Sequence, residues 1–411
     1  MHLQSSETRF ASLHPEASLY EGVIAPNSAV DQLKKFRQVL ESYEAQIFLV
    51  TDVLANETFT TREELIEFAD QFLTYDLSYL PNELNEVKKI EQNFTGKKLD
   101  NFRKAISEFE SKINAMHQDE YRKRVLSNLN KESLIDVIFN RPKVELHLRS
   151  WFGDGDNLFL YLRSKIISDP LSNLYFMRDQ QITTQKGIIL LRSAIRPGEN
   201  EVTKFVFRKL GFKIIGELRN GYAEGGDFMP MGNKVFIGQG LRTTKEAIDE
   251  MLENDYFGVK EVVVVKDMYD HSQQRMHLDT FFNVLNDDTV LISDEIENEV
   301  KKRRWVDVYF RSASGKYSLT IKDREFVQYL VESGFKIVRV TKEEQENYAV
   351  NFLNMGNGRI IVAYDDQNYF DLLKAVGVNA KYVNISALTK GYGGPHCMTQ
   401  VIWRERKICW K

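Results

Sequence analysis

An α/β fold, assembled from repeated βα modules and interrupted by a helical insertion, is what the 411-residue sequence predicts. Three observations carry this expectation. From about residue 167 onward, short apolar runs of strand length alternate with amphipathic stretches of helical length. Residues 58–145 break that rhythm, being charge-rich, low in glycine and apolar at helical spacing. A turn motif also recurs. Met231-Gly232-Asn233 precedes the apolar run Val235–Ile237, and Met355-Gly356-Asn357 precedes Ile360–Val362. The segments just before them, Glu224–Met229 and Tyr348–Leu353, hold equivalent places.

Taken in order, Asp31–Glu44 has the helical spacing Leu33, Phe36, Val39, Leu40, Tyr43, and the strand-like Ile47–Val50 follows it. In the insertion, Thr60 or Thr61 caps a helix with Glu63 or Glu64 in its first turn. Apolar stripes run through Leu65, Phe68, Ala69, Phe72 and Leu73, through Phe102, Ile106, Phe109 and Ile113, and through Val125, Leu129, Leu134, Ile135 and Ile138. They predict a small bundle of three or more helices, closed by Pro142, with His117 on a helix surface. Beyond it, strands are expected at Ile188–Leu191, Val235–Ile237, Glu261–Lys266, Val290–Ser293, Lys336–Val340, Ile360–Tyr364 and Tyr382–Ile385. Helices are expected at Asn200–Leu210, Thr244–Glu253, Asp323–Ser333 and Phe370–Val376.

Composition narrows the function. Apolar content of 43% and charged content of 28% are those of an ordinary soluble domain. A net charge of -4 gives no global attraction to nucleic acid or anionic membrane, and Lys301–Arg304 reads as a solvated face. No signal-peptide h-region and no run long enough to span a bilayer is visible. With only two cysteines, Cys397 and Cys409, this predicts a reducing cytoplasm. The absence of CxxC, HExxH, GxGxxG and GxxxxGK[ST] patterns argues for no metal and no nucleotide cofactor.

The chemistry gathers in four polar clusters that interrupt apolar stretches. Gly391-Tyr-Gly-Gly-Pro-His396-Cys397 delivers a thiol on a Gly-rich loop, either a half-buried turn residue or a nucleophile. Asn173–Asp179 ends in an Arg-Asp pair, read as a local ion pair or as a carboxylate held toward a pocket. Glu224-Gly-Gly-Asp227 sets two carboxylates around two glycines. If Met276–Phe282 is a strand, its period of two puts His277 and Asp279 on one face. His396 is a poor base for its own neighbour, so His277 is the better candidate, and His14 and His271 read as structural. One thiol, one imidazole and several carboxylates suit a planar guanidinium. Two carboxylates can grip its fork of donors, leaving its central carbon facing the nucleophile. The thiol would attack once deprotonated, and the imidazole would pass protons.

These clusters, in this order, resemble the arginine deiminases among the guanidino-group-modifying enzymes. The matching stretches are Asn173–Asp179, Glu224–Asp227 with Met229–Asn233, Met276–Thr280 and Gly393–Gln400. The resemblance implies a five-fold pseudosymmetric α/β propeller of ββαβ modules. Residues 1–57 and 146–411 would form that catalytic domain, and 58–145 the α-helical insertion. It implies Cys397 as nucleophile, His277 as general acid/base, Asp179 and Asp279 as the grip on the guanidinium, and Glu224 as contact to that group or support for His277. Asp227 would order its loop, and Asn173 and Arg242 would hold the amino-acid end. The arginine that the family uses for the substrate carboxylate falls at Gly198 here, with Arg192 and Arg196 nearby, and Arg196 is the candidate substitute. The implied reaction converts L-arginine and water to L-citrulline and ammonia, without a cofactor, in a possible homo-oligomer that binds neither nucleic acid nor membrane. Another guanidino substrate, amidino transfer to an amine, or a retired binding scaffold stands as the alternative.

Overall fold

The computed structural model describes residues 1–2, 6–116, 119–153 and 158–404; His117 and Cys409 lie outside them. The chain divides into two compact units, Met1–Val53 with Ser172–Lys411, and Leu54–Leu171.

In the unit Leu54–Leu171, Thr61 caps the helix Arg62–Asp70 in a reciprocal box with Glu64. Helices Leu80–Lys88, Gly96–Met116, Asp119–Leu126 and Lys131–Asn140 follow. Leu80, Leu84, Phe102, Ile106 and Phe109 share one core. The sequence reading made this stretch helical throughout and closed it at 145. The structure instead adds a sheet, with Thr74–Asp76 parallel to Lys143–Phe152 and the latter antiparallel to Leu158–Ile167. The physical reason is a period of two: Leu146 and Leu148 enter the core while His147 and Arg149 alternate with them.

The other unit is an α/β structure with mixed sheets. Among its described residues, one topology occurs four times: an antiparallel hairpin, a crossover, and a third strand parallel to the second. The first module is Gln181–Thr183, Ile188–Leu190, helix Glu199–Lys209 and Ile214–Glu217. The second is Phe228–Met231, Lys234–Gln239, helix Lys245–Glu253 and Glu261–Lys266. The third is Phe282–Val284, Thr289–Ser293, a crossover containing helix Phe326–Glu332, and Lys336–Val340. The fourth is Leu353–Gly356, Arg359–Val362, helix Gln367–Ala375 and Asn379–Tyr382. Middle strands are buried on both faces, which is why Val235-Phe236-Ile237 and Ile360-Ile361-Val362 are unbroken apolar runs. The two Gly-Asn turns are the hairpins of the second and fourth modules.

The third crossover carries a hairpin, Trp305–Arg311 with Tyr317–Glu325, that joins the second module's sheet beside Glu261–Lys266. Helix Pro26–Glu41 opens with proline, whose missing N–H costs nothing in the first turn. It buries Ala29, Leu33, Phe36 and Leu40 in one cluster with Leu353, Ile361, Tyr175, Phe176 and Cys397. At about 1.5–3 kcal/mol per fully buried side chain, this face anchors the loops that carry the site. Two expected strands are not formed, and a third, expected at Tyr382–Ile385, runs instead over Asn379–Tyr382. Val50 starts the helix Val50–Ala55, its amide donating to Met1 O. Leu278–Thr280 is a single 3-10 turn, because Thr280 N and Oγ1 both donate back to His277 O.

Candidate active site

Each module begins just after a polar loop, and these loops converge. Asn173–Gln180 leads into the first, Glu224–Asp227 into the second, His277–Thr280 into the third and Tyr348–Asn351 into the fourth. A fifth segment, His396–Thr399, joins them through Arg178, whose N donates to Cys397 O and whose Nε donates to His396 O at 3.1 Å. Glycine is required where these loops cross. A Cβ on Gly226 would stand 2.5 Å from His277 Nδ1, and one on Gly394 would stand 2.7 Å from Asn351 O. In the thiol loop the left-handed residue is Tyr392, φ 65°, while the glycines serve close packing.

Cys397 is 3% exposed. Its Sγ donates to Asp279 Oδ2 at 3.2 Å and accepts from Asn351 Nδ2, also at 3.2 Å. Asp279, fully buried, accepts at the same Oδ2 from His396 Nδ1 at 2.8 Å, and its Oδ1 has no hydrogen-bond partner. His277 Nε2 is 2.7 Å from Glu224 Oε2. Its Nδ1 faces Asp179 Oδ1 at 3.9 Å and Asp279 Oδ1 at 4.0 Å, and makes no hydrogen bond. Ser193 Oγ donates to Glu224 Oε1. Asp179 Oδ1 accepts from Gly226 N at 3.0 Å.

Burial disfavours the His277 cation, but Asp179, Glu224 and Asp227 outweigh it and push the imidazole up to about 9. Burial also disfavours the Glu224 carboxylate, yet Arg196 and His277 hold it far below the usual range. Burial raises the Cys397 thiol well above its ordinary value, and Asp279 and Asp179 add to this. Burial, with Arg178 nearby, lowers His396 to about 4 against the pull of Asp279. The resting site therefore holds a neutral thiol, a neutral His396 and an imidazolium at His277, the last ringed by carboxylates.

The structure brings Cys397, His277, Asp179, Asp279 and Glu224 together, although His277 and Asp279 meet across a 3-10 turn instead of along a strand. Asp227 lies beneath them, accepting from Leu278 N at 2.8 Å and Thr243 Oγ1 at 2.6 Å. Arg242 donates to Gln273 Oε1 at 2.5 Å and is electrostatically coupled to Glu224. Asn173 directs its amide to Ser18 O and Ser172 Oγ. Arg196 reaches the carboxylates themselves, NH2 lying 2.9 Å from Asp179 Oδ2 and 2.7 Å from Glu224 Oε2. Asp179, Glu224 and His277 also offer ligand atoms within 4.8 Å of one another, a spacing that suits a metal ion, but Arg196 and the Glu224–His277 hydrogen bond engage those groups here. Sequence reasoning missed Asn351, which holds the thiol and, through Oδ1, accepts from Gly394 N at 2.9 Å. The signal was the repeat: Asn351 stands before Met355-Gly356-Asn357 as Asp227 stands before Met231-Gly232-Asn233.

The family model for arginine deiminase matches residues 160–404. The chain belongs to the arginine deiminase family. Among curated arginine deiminases it is 27% identical to that of Halobacterium salinarum, over 58% of this chain and 65% of the relative. It is 30% identical to that of Limosilactobacillus reuteri, over 58% and 62%. These two alignments span just under two thirds of the relatives' length. The arginine deiminase of Mycoplasma capricolum is 29% identical over 74% of this chain and 77% of the relative. Among solved structures, an adduct of dimethylarginine dimethylaminohydrolase is 22% identical, with a TM-score of 0.42 over 56% of this chain and 78% of that one. The arginine deiminase match takes in every candidate residue from Asn173 to Cys397. Among the described residues no helix is long and apolar enough to cross a membrane.

Proposed function

We propose that this chain hydrolyses the guanidino group of L-arginine, giving L-citrulline and ammonia. The observation that carries the reading is one buried thiol and one imidazolium held among the carboxylates of Asp179, Glu224 and Asp279, from loops far apart in sequence. The substrate's cation would sit between Asp179 and Asp279 with its central carbon toward Cys397 Sγ. Its charge lowers the pKa of the adjacent thiol, offsetting the burial that keeps it neutral at rest. The thiol loses its proton to solvent, and the thiolate forms an S–C bond as the C=N π pair of the guanidinium moves onto nitrogen. His277 passes a proton from its unpartnered Nδ1 to the departing nitrogen, and the C–N bond breaks to release ammonia. The imidazole then takes a proton from water, whose oxygen attacks the thiouronium carbon; the C–S bond breaks as the C=O forms, and the remaining hydroxyl proton passes to sulfur to return the thiol. Protein residues and water alone complete this scheme. The four modules, with a fifth loop at His396–Thr399, support closure of the sheets into a five-fold propeller around the site.

One observation favours a second substrate within the same chemistry. A cleft reaches Asn351 and Thr280 and is lined by Glu21, Gln345, Glu346, Tyr348 and Tyr392, with no lysine or arginine among its described lining residues. A guanidino compound whose far end carries only an ammonium suits that lining better than one with a carboxylate. Product analysis by mass spectrometry decides. The purified protein is incubated with arginine and, separately, with agmatine, beside a Cys397→Ala control. Citrulline formed by the unmodified chain alone supports the first reading. Turnover of agmatine in preference moves the assignment to the second. Turnover that survives in Cys397→Ala removes the thiol from both.

A further inference from the structure

Arg196 departs furthest from its expected place. Its side chain is 8% exposed, and a single nitrogen, NH2, bridges Asp179 Oδ2 and Glu224 Oε2. A guanidinium therefore already stands on Asp179, one of the two carboxylates that would grip the substrate's cation, and on the neighbouring Glu224. Burial opposes its charge, but Glu224, Asp179 and Glu199 outweigh that and hold it firmly charged. The need for a cation is physical. Two buried carboxylates side by side are costly without counter-charge, and Arg196 supplies one beside the imidazolium of His277.

The fit is incomplete. Arg196 offers one nitrogen to both acids, where a well-seated guanidinium would present a fork. Its Nε is buried without a partner. Asp279 Oδ1 and His277 Nδ1, which face each other at 4.0 Å, also lack hydrogen-bond partners. Of the third carboxylate, Asp279, Oδ2 is engaged by Cys397 and His396 while Oδ1 has no hydrogen-bond partner among the described residues. The segment carrying Arg196 is exposed at Arg192, Ala194, Ile195 and Pro197, and helix Glu199–Lys209 starts just beyond it. Withdrawing this arm disturbs no strand.

We infer that Arg196 is a displaceable internal occupant of the guanidinium subsite, which an incoming guanidino compound must replace before it can reach Cys397. This rests on the guanidino reading above. It makes Arg196 a specificity residue. A ligand that contacts only Asp179 and Glu224 exchanges one cation for another and gains little, whereas one that also engages Asp279 gains the contact Arg196 cannot make. Small guanidinium ions are thereby excluded and larger, better-anchored ones admitted.

The test is binding of methylguanidinium by calorimetry in a Cys397→Ala background, so that turnover does not intervene. Arg196→Ala and Arg196→Met are compared with Arg196 intact and with Arg196→Lys. Removing the guanidinium is expected to tighten methylguanidinium binding at least tenfold in the Ala and Met variants. The Lys variant, still cationic, is expected to stay weak. Unchanged or weaker binding in both the Ala and Met variants overturns the inference. Should either variant be unfolded at rest, millimolar methylguanidinium is expected to restore its folded circular dichroism signal, because a ligand bound only by the native state stabilises it. Failure to restore it in both overturns the inference equally. Citrulline production by the unmodified chain is read separately. Citrulline with no Arg196 effect sinks only this inference, and tighter methylguanidinium binding without citrulline sinks only the functional reading.

Discussion

Asn351 Nδ2 lies 3.2 Å from Cys397 Sγ, while Oδ1 of the same side chain accepts from Gly394 N. One amide thus fixes both the thiol and the loop that presents it, and its donor is placed to stabilise a thiolate. Asn351→Ala removes that donor. A hydrogen bond to a charged group contributes about 1.5–3 kcal/mol, so turnover is expected to fall roughly 10–100-fold. Asn351→Asp puts an anion against the thiol and is expected to cost more. The check is the pH dependence of Cys397 alkylation by iodoacetamide, whose midpoint should rise in both variants and further in Asp. A lower melting temperature with an unmoved midpoint would reduce Asn351 to a loop support.

His277 makes the fold itself sensitive to pH. Its imidazole rises from 6.5 to about 9, burial opposing and Asp179 and Glu224 prevailing. A basic group whose pKa is raised on folding contributes stability that is fully present below the unfolded value. That stability is lost as pH climbs through the folded one. The window is therefore pH 6.5 to 9, and the contribution is about 3 kcal/mol at 1.36 kcal/mol per unit. Melting temperature recorded across that range is expected to fall more steeply for the unmodified chain than for His277→Gln. Parallel curves would say the imidazolium is not held by its carboxylates. Proton donation by His277 is expected to fade over the same alkaline limb.

The polar loops were legible because each interrupts an apolar run that has no other reason to break. Glu224–Asp227 and the His277–Asp279 pair stand out in the sequence itself. Asn351 was harder, since an amide carries no chemistry of its own and only the repeat marked its place. The destination of Arg196 was not legible at all. Its long side chain leaves an exposed loop and reaches inward, and a sequence records the residue but not its reach. The hairpin Trp305–Arg311 with Tyr317–Glu325 escaped for another reason. It buries only Val306 and Val308 fully, and its other apolar side chains, Trp305, Phe310 and Leu319 among them, are spaced among charged and polar residues and partly exposed, so no long apolar run marks it.

Two glycines separate packing from conformation. Gly226 has no left-handed requirement, but its Cβ would meet His277 Nδ1 at 2.5 Å and Cγ at 2.8 Å. The ring is held by Glu224 and cannot yield freely. Gly226→Ala is expected to cost about 1–3 kcal/mol by overpacking, and more than tenfold in turnover because the imidazole must shift. Gly232, in the hairpin turn of the second module, has φ 61° and open space around its would-be Cβ. Gly232→Ala is expected to cost about 1 kcal/mol in stability and to leave turnover unchanged. Denaturant melts and steady-state rates on the pair distinguish the two causes. Equal losses of turnover would remove the argument that Gly226 makes room for His277.

Asp279 is placed to give opposite answers to two measurements. Its Oδ2 accepts from the thiol and from His396, and its carboxylate holds the thiol pKa up. Its Oδ1, unpartnered, is available to a guanidinium. In Asp279→Asn the anion is gone, so the thiol is expected to ionise at lower pH and to alkylate faster. The substrate cation loses a buried partner, and transition-state stabilisation is expected to drop by about 3 kcal/mol or more, on the order of a hundredfold in kcat/KM. A more reactive cysteine in a less active protein is a signature that local unfolding would not produce with a native melting temperature. If turnover persists, the guanidinium is held by other groups. If alkylation slows alongside turnover, Asp279 acts by helping the thiol ionise and not by gripping the substrate.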